Sequence, residues 1–234
     1  DRAGGDGRQV LTSLEVAVAL AHPGDVELVH VEAALGTSAL RYGRDDHYDV
    51  VSAFIKSMRG SDPDAAVYWL ARMLEAGEDA RFIVRRMVIF ASEDVGMADP
   101  SSLTVAVAAA QAVEHVGLPE AQLNLAQAAV HLATAPKSNR AALAIWNARA
   151  AIRDGALGEV PAHLRDAHYQ GAAALGHGDG YDYPHDHAGG WVEQQYLPDE
   201  LVDRRWYEPS TSGFEQEILE QMDTRRNRPN ETTS

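Results

Sequence analysis

The phrase His185-Asp186-His187, with His177 upstream and Asp179 and Asp182 beside it, carries residue types that ligate zinc or another divalent ion. His185 and His187 are the metal candidates of the chain. Their two-residue separation in a glycine-rich stretch lacks the fixed spacing of ligands on one helix face, and no fourth ligand stands out. Hydrogen bonding among loops is the competing reading. Glu93, Asp94 and Asp99 form a second cluster, suited by type to a divalent cation or to acid/base work. They fall between the end of one helical stretch and the start of the next, where carboxylates satisfy free backbone donors. Taken with the histidine loop, they would make the chain a metal-dependent helical-bundle hydrolase.

A third group is cationic. Lys137-Ser138-Asn139-Arg140 follows Pro136 and opens a helix, so its free amides and the Lys137 ammonium suit a small anion; N-capping by Ser138 or Asn139 is the alternative. Lys56, Arg59 and Arg72 recur along neighbouring helical stretches, with Arg81, Arg85 and Arg86 on the next, and such side chains contact DNA phosphates. Residues 41–100 nevertheless hold more acids than bases, which favours salt bridges. The whole chain carries a net charge of −15, which repels nucleic acid at long range, so any DNA contact must be local.

These residues need a scaffold, and the sequence describes one. With 234 residues, 45% of them hydrophobic, the chain can bury a real core. Cysteine is absent, which removes disulfides, thiolate metal sites and thiol nucleophiles and fits a reducing cytoplasm. No uncharged apolar run reaches the roughly eighteen residues of a membrane span, and Asp1-Arg2-Ala3-Gly4-Gly5 is not a signal peptide. That start also lacks methionine and reads as the interior of a longer polypeptide.

Apolar residues Val10, Leu11, Leu14, Val18 and Ala21 recur at helical steps and end at His22-Pro23-Gly24. A short helix follows over 26–35, with Gly36 at its C-terminal side. Residues 41–46 read as a linker. Tyr48, Val51, Phe54, Ile55 and Met58 then define a helix face up to Gly60. Asp62-Pro63 and Asp99-Pro100 are helix starts, because the aspartate accepts from free amides and proline has none to leave unpaired. Further helices are expected over 65–76, 80–90, 103–116, 121–135, 141–153 and 214–222, with Pro119 opening the 121–135 helix. Tyr68, Trp69, Met73, Phe82, Ile83, Met87 and Phe90 form a stripe suited to a core or an oligomer interface. Sustained period-two alternation is absent, so the fold class is all-α. From Leu175 to Pro198 the texture becomes Gly, His, Tyr and Pro, and the aromatic residues there and at Trp206 and Tyr207 predict ordered loops covering the bundle.

Several phrases carry a family resemblance. Gly5-Asp6-Gly7-Arg8 followed by an apolar helix resembles the sensor 2 helix of clamp-loader-like AAA+ ATPases, which would make Arg8 a nucleotide-contacting arginine. The run from Tyr48 to Met73, then Ala91-Ser92-Glu93-Asp94-Val95-Gly96-Met97-Ala98-Asp99-Pro100, then Ala135-Pro136-Lys137-Ser138-Asn139 resemble, in order, phrases of the replication-associated recombination protein A (MgsA) family and its Werner-helicase-interacting relatives. The likeness continues through Val160 to Arg165 and Tyr181 to Asp186.

The resemblance implies a lid remnant over residues 1–40, a linker over 41–46, a clamp-loader-collar-like oligomerisation bundle over 47–223 with a loop-rich C-terminal segment, and a flexible tail over 224–234. It implies a homotetramer within a DNA-dependent ATPase acting at stalled replication forks in replication, recombination and repair, in the nucleoid-associated cytoplasm. Single-stranded-DNA-binding protein and DNA would be its partners. A binding module for either of these is a further alternative. The chain has no Gly-x-x-x-x-Gly-Lys-[Ser/Thr] loop; Lys56 and Lys137 are its only lysines and neither sits in such a turn. ATP and Mg would therefore be held by sequence upstream, and this segment is not expected to be an enzyme by itself.

Overall fold

A computed structural model describes residues 7–34, 44–167 and 175–227. Every regular element among them is helical, and no strand occurs among the described residues. The α-helices are α1 (Gly7–Ala21), α2 (Leu28–Ala34), α3 (Arg44–Arg59), α4 (Pro63–Glu75), α5 (Ala80–Phe90), α6 (Ser101–His115), α7 (Ala121–Thr134), α8 (Arg140–Arg153) and α9 (Glu215–Arg226). The chain divides into two compact units, one of Asp1–Phe90 with Thr104–Thr134, the other of Ala91–Leu103 with Ala135–Ser234.

In the first unit α7 is the central helix, packed by α3, α4 and α5. Its inner face is Ala121, Leu125, Ala128, Ala129, Leu132 and Ala133, all buried. Small side chains there let the neighbouring backbones approach closely, as the alanine-rich composition predicts. Phe54 and Met58 from α3, Leu70 and Met73 from α4, and Ile83, Met87 and Phe90 from α5 are buried as well. The expected cap at Asp62 is present: its Oδ1 accepts from the Ala65 amide at 2.9 Å, with Pro63 in the first turn.

Some expectations change. The buried face of α3 is Val50, Val51, Phe54 and Met58, while Ile55 is half-buried and Tyr48 is exposed. The cause is His47, whose Nδ1 lies 2.7 Å from Glu78 Oε2 and whose ring meets Phe82, so the next residue turns outward. Tyr68 is exposed rather than core, and Trp69 and Phe82 are half-buried. In the turn after α3, Ser61 has positive φ and the Asp62 amide bonds back to the Ser57 carbonyl. Pro119 does not open α7, which begins at Ala121 after a turn.

α1 and α2 pack on each other. Among the residues of α1 whose side chains are described, Ala17 and Ala21 are buried, whereas Leu11, Leu14 and Val18 of the expected stripe are exposed, Leu11 by 62%. No residue of α2 is buried. The apolar face that the periodicity predicts exists, but nothing within the described chain covers it. Residues 44–46, taken from sequence as linker, form the first turn of α3; 41–43 and Gly36 lie outside the described residues. In the second unit, α8 packs against the segment 91–98. The loop-rich stretch is ordered by side chains: Gln194 Nε2 donates to the Asp182 carbonyl, and the Asp182 amide donates back to Gln194 Oε1. Tyr181, Tyr183 and Tyr196 are nevertheless exposed rather than inward. The last helix extends past the expected Met222 to Arg226, and residues 228–234 lie outside the described residues.

Candidate functional site

The second unit contains a junction of three sequence-distant segments. Ala91–Val95 forms one turn of π-helix and Gly96–Ala98 a 3-10 turn. π-turns are uncommon and frequently mark functional sites. The Asp94 carbonyl accepts from the Ser138 amide at 2.8 Å, which joins the two phrases that carry the family resemblance. Gly96 has φ +52°, and a Cβ there would lie 2.7 Å from the Ser138 carbonyl oxygen, so both backbone conformation and space require glycine. Asp99 then caps α6, its carboxylate accepting from the Ser101 amide and from the Ser101 and Ser102 hydroxyls.

The third segment is Tyr207–Glu215. Glu215, at the start of α9, is 0% exposed. Its Oε2 accepts from Ser138 Oγ at 2.6 Å, Ser210 Oγ at 2.6 Å and the Ser210 amide at 2.8 Å, and its Oε1 accepts from the Tyr207 hydroxyl at 2.9 Å. The Phe214 amide donates to the Ala98 carbonyl at 2.8 Å. Segments 94–99, 136–138 and 207–215 are thus tied by hydrogen bonds.

Electrostatics at the junction are unusual because the Ser138, Ser210 and Tyr207 hydroxyls and the Ser210 amide that donate to the buried carboxylate are all neutral. Burial alone would push Glu215 up; the hydroxyls of Ser138 and Ser210, the Ser210 amide and the Tyr207 hydroxyl together outweigh it and hold the carboxyl below its ordinary range. Tyr207 is pushed well above its ordinary value, first by burial and then by its bond to Glu215. Burial lowers Lys137, opposed by the nearby Asp94, and Lys137 Nζ donates to the Ala135 carbonyl. With four hydrogen bonds accepted, the Glu215 carboxylate is occupied as a fastening rather than open as a base.

A pH dependence follows. Because the folded carboxyl titrates below its unfolded value, its contribution is fully present above the ordinary carboxylate range and is lost as pH falls through the folded value. Unfolding midpoints measured from neutral pH downwards are expected to fall below that range in the wild type, and less so in Glu215→Gln.

The candidates from sequence are placed as follows. Ser138 is buried, with its hydroxyl on Glu215, and Arg140 N contacts it at only 3.3 Å. Asn139 occupies the cap position of α8 without a side-chain cap bond. Lys56 and Arg59 are exposed on the last turn of α3, in the other unit. Arg72 lies over the Trp69 ring, 5.4 Å from its centroid, and Arg81 makes a bidentate pair with Glu114. Arg8 lies in the first turn of α1 and is described by its backbone alone; Gly5 and Asp6 lie outside the described residues. His187 Nε2 lies 2.6 Å from Asp182 Oδ1, and the His185 ring packs against Tyr183. Among the described residues no three His, Asp or Glu side chains converge in a way that could hold a metal ion, so the hydrolase alternative gains no support there. Glu215, Ser210 and Gly213 were not legible as site residues: a glutamate opening a polar helix looks like any first-turn carboxylate.

A family model described as MgsA AAA+ ATPase C terminal matches residues 60–226, well over half of the chain. The chain belongs to the MgsA family of AAA+ ATPases. A second model, AAA C-terminal domain, matches residues 1–59, so the two matches meet at the end of α3. An uncharacterized AAA domain-containing protein of Mycobacterium tuberculosis is 58% identical over 96% of this chain and 50% of its own length. Replication-associated recombination protein A of Bacillus subtilis is 46% identical over 94% of this chain and 53% of its own length. The protein of that name from Escherichia coli is 39% identical over 93% and 51%. This MgsA-family chain therefore spans about half the length of these relatives. No described helix of it is long and apolar enough to cross a membrane.

Proposed function

We propose that this MgsA-family chain is the oligomerisation and assembly region of a DNA-dependent AAA+ ATPase that works in replication-associated recombination at stalled forks. It joins four copies, and it carries lid helices α1 and α2 that complete a nucleotide domain encoded upstream, where ATP and Mg bind. Arg8 is the lid residue that reaches the nucleotide. DNA and single-stranded-DNA-binding protein are partners of the whole assembly, which resides with the nucleoid in the cytoplasm.

The observation that carries this reading is apolar surface left uncovered on well-formed helices. In the first unit, Leu123 is 71% exposed, and Val130, two helical turns along the same face of α7, is exposed too. Val116 and Leu118 stand exposed just before that helix. Large apolar side chains left exposed on one side of a well-formed helix suit an interaction face. The uncovered side of α1 is of the same nature and fits a lid helix packed against a preceding domain.

Multi-angle light scattering tests the assembly. The purified chain is expected to have the mass of four copies, and Leu123→Glu is expected to lower that mass while leaving the far-UV circular dichroism unchanged. A monomeric wild type at micromolar concentration, or ATP turnover by the purified chain after contaminants are excluded, would contradict the proposal.

A further inference from the structure

α9 is an unusual helix to be held in place. Among its residues only Glu215 is buried, and Ile218, Leu219 and Met222, on the helix face that continues from it, are half-buried. Its polar side, Glu217 to Arg225, lines an open cleft of about 500 Å³ together with Gly189 and Trp191. Burial of apolar surface, the usual force that fixes a helix, is therefore incomplete along α9 beyond Glu215. The N-terminal end is different: four hydrogen bonds converge on Glu215, and the adjoining Phe214 amide bonds to Ala98.

We propose that α9 is a detachable C-terminal strap, keyed by Glu215 into a carboxylate-binding cradle formed by the Ser138, Ser210 and Tyr207 hydroxyls and the Ser210 amide. The cradle is preorganised by elements outside α9. Ser138 is fixed by its amide bond to Asp94 and by the backbone of Gly96, and Ser210 is further braced by the Ser212 amide on its hydroxyl. Its chemistry is that of a receptor for a carboxylate: hydrogen-bond donors directed at two oxygens, with no acidic neighbour among the bonds to it. In this fold the carboxylate comes from the chain itself. Withdrawing it frees the strap and leaves the cradle open to a carboxylate supplied in trans.

Amide hydrogen exchange resolved by peptide, on the whole chain, separates key from strap. In Glu215→Gln and Glu215→Ala, the amides of α9 are expected to exchange about tenfold faster or more, while those of α3, α4, α5 and α7 keep wild-type rates. Sodium formate added to Glu215→Ala, against a sodium chloride control, is expected to restore protection at residues 137–140 and 210. It leaves α9 fast, because formate fills the cradle without a tether. Wild-type exchange of α9 in Glu215→Gln overturns the strap, whatever the alanine variant does. Uniform acceleration across both units also overturns it, since Glu215 would then be ordinary stabilisation. Failure of formate to slow the Ser210 region, with α9 already loosened, overturns the cradle.

Discussion

Gly213→Ala is expected to destabilise the second unit by about 3 kcal/mol, combining the cost of an alanine at positive φ with that of overpacking against a fixed neighbour. Gly213 has φ +54°, and a Cβ there would collide with the Ala98 carbonyl and lie 2.7 Å from Pro136 Cγ. Neither neighbour gives way easily. The Ala98 carbonyl also accepts the Phe214 amide, and Pro136 is a rigid ring next to the segment that carries Lys137 and Ser138. Trp146, Trp191 and Trp206 belong to this unit, whereas Trp69 belongs to the other, so tryptophan fluorescence during urea unfolding reports chiefly on the affected part. A loss below about 1 kcal/mol would show that the Ala98–Pro136 contact yields, and would remove the close approach as a reason for glycine.

The first unit has its own sensitive point. Phe54→Ala is expected to cost about 4 kcal/mol, the range for emptying a large, fully buried aromatic site that can collapse only partly. Phe54 is 1% exposed on α3, the helix that packs on both α4 and α7. Tyr48→Ala, six residues earlier, is expected to change stability by less than about 0.5 kcal/mol because its ring is exposed. Thermal unfolding followed by far-UV circular dichroism checks both. Equal losses at the two positions would mean that the buried face of α3 is misassigned.

That contrast shows where reading a sequence succeeds and where it stops. Periodicity identifies α3 as an amphipathic helix with Val51, Phe54 and Met58 on its inner side, but Tyr48/Val51/Phe54/Ile55/Met58 and Val50/Val51/Phe54/Met58 are both valid helical faces. The choice between them depends on the contact of His47 with Glu78 and Phe82, residues thirty or more positions away. The starts at Asp62 and Asp99 were legible because capping is local: the carboxylate bonds to amides within three residues. The expected role of Glu93, Asp94 and Asp99 as partners of backbone amides is met by Asp99 in this way, while Asp94 joins the junction through its own carbonyl.

The candidate site divides along the same line. Ala91–Pro100 and Ala135–Asn139 stand out in the sequence as phrases that resemble one family, and their matched order leads to the MgsA assignment. Nothing in either phrase announces Glu215, which lies 77 residues beyond Ser138. Ser138 therefore reads from sequence as an anion site or a cap, and the anion beside it is in fact a side chain of the same molecule.

What the chain determined by itself is its all-helical character, its caps and breaks, its lack of a phosphate loop and its family, because each rests on residue identity or on neighbours a few positions apart. Which apolar faces find a partner, which remain uncovered on α1 and α7, and which donors close around Glu215 were decided only by tertiary structure. Burial and hydrogen-bond satisfaction depend on segments brought together from far along the chain, and no local pattern encodes that meeting.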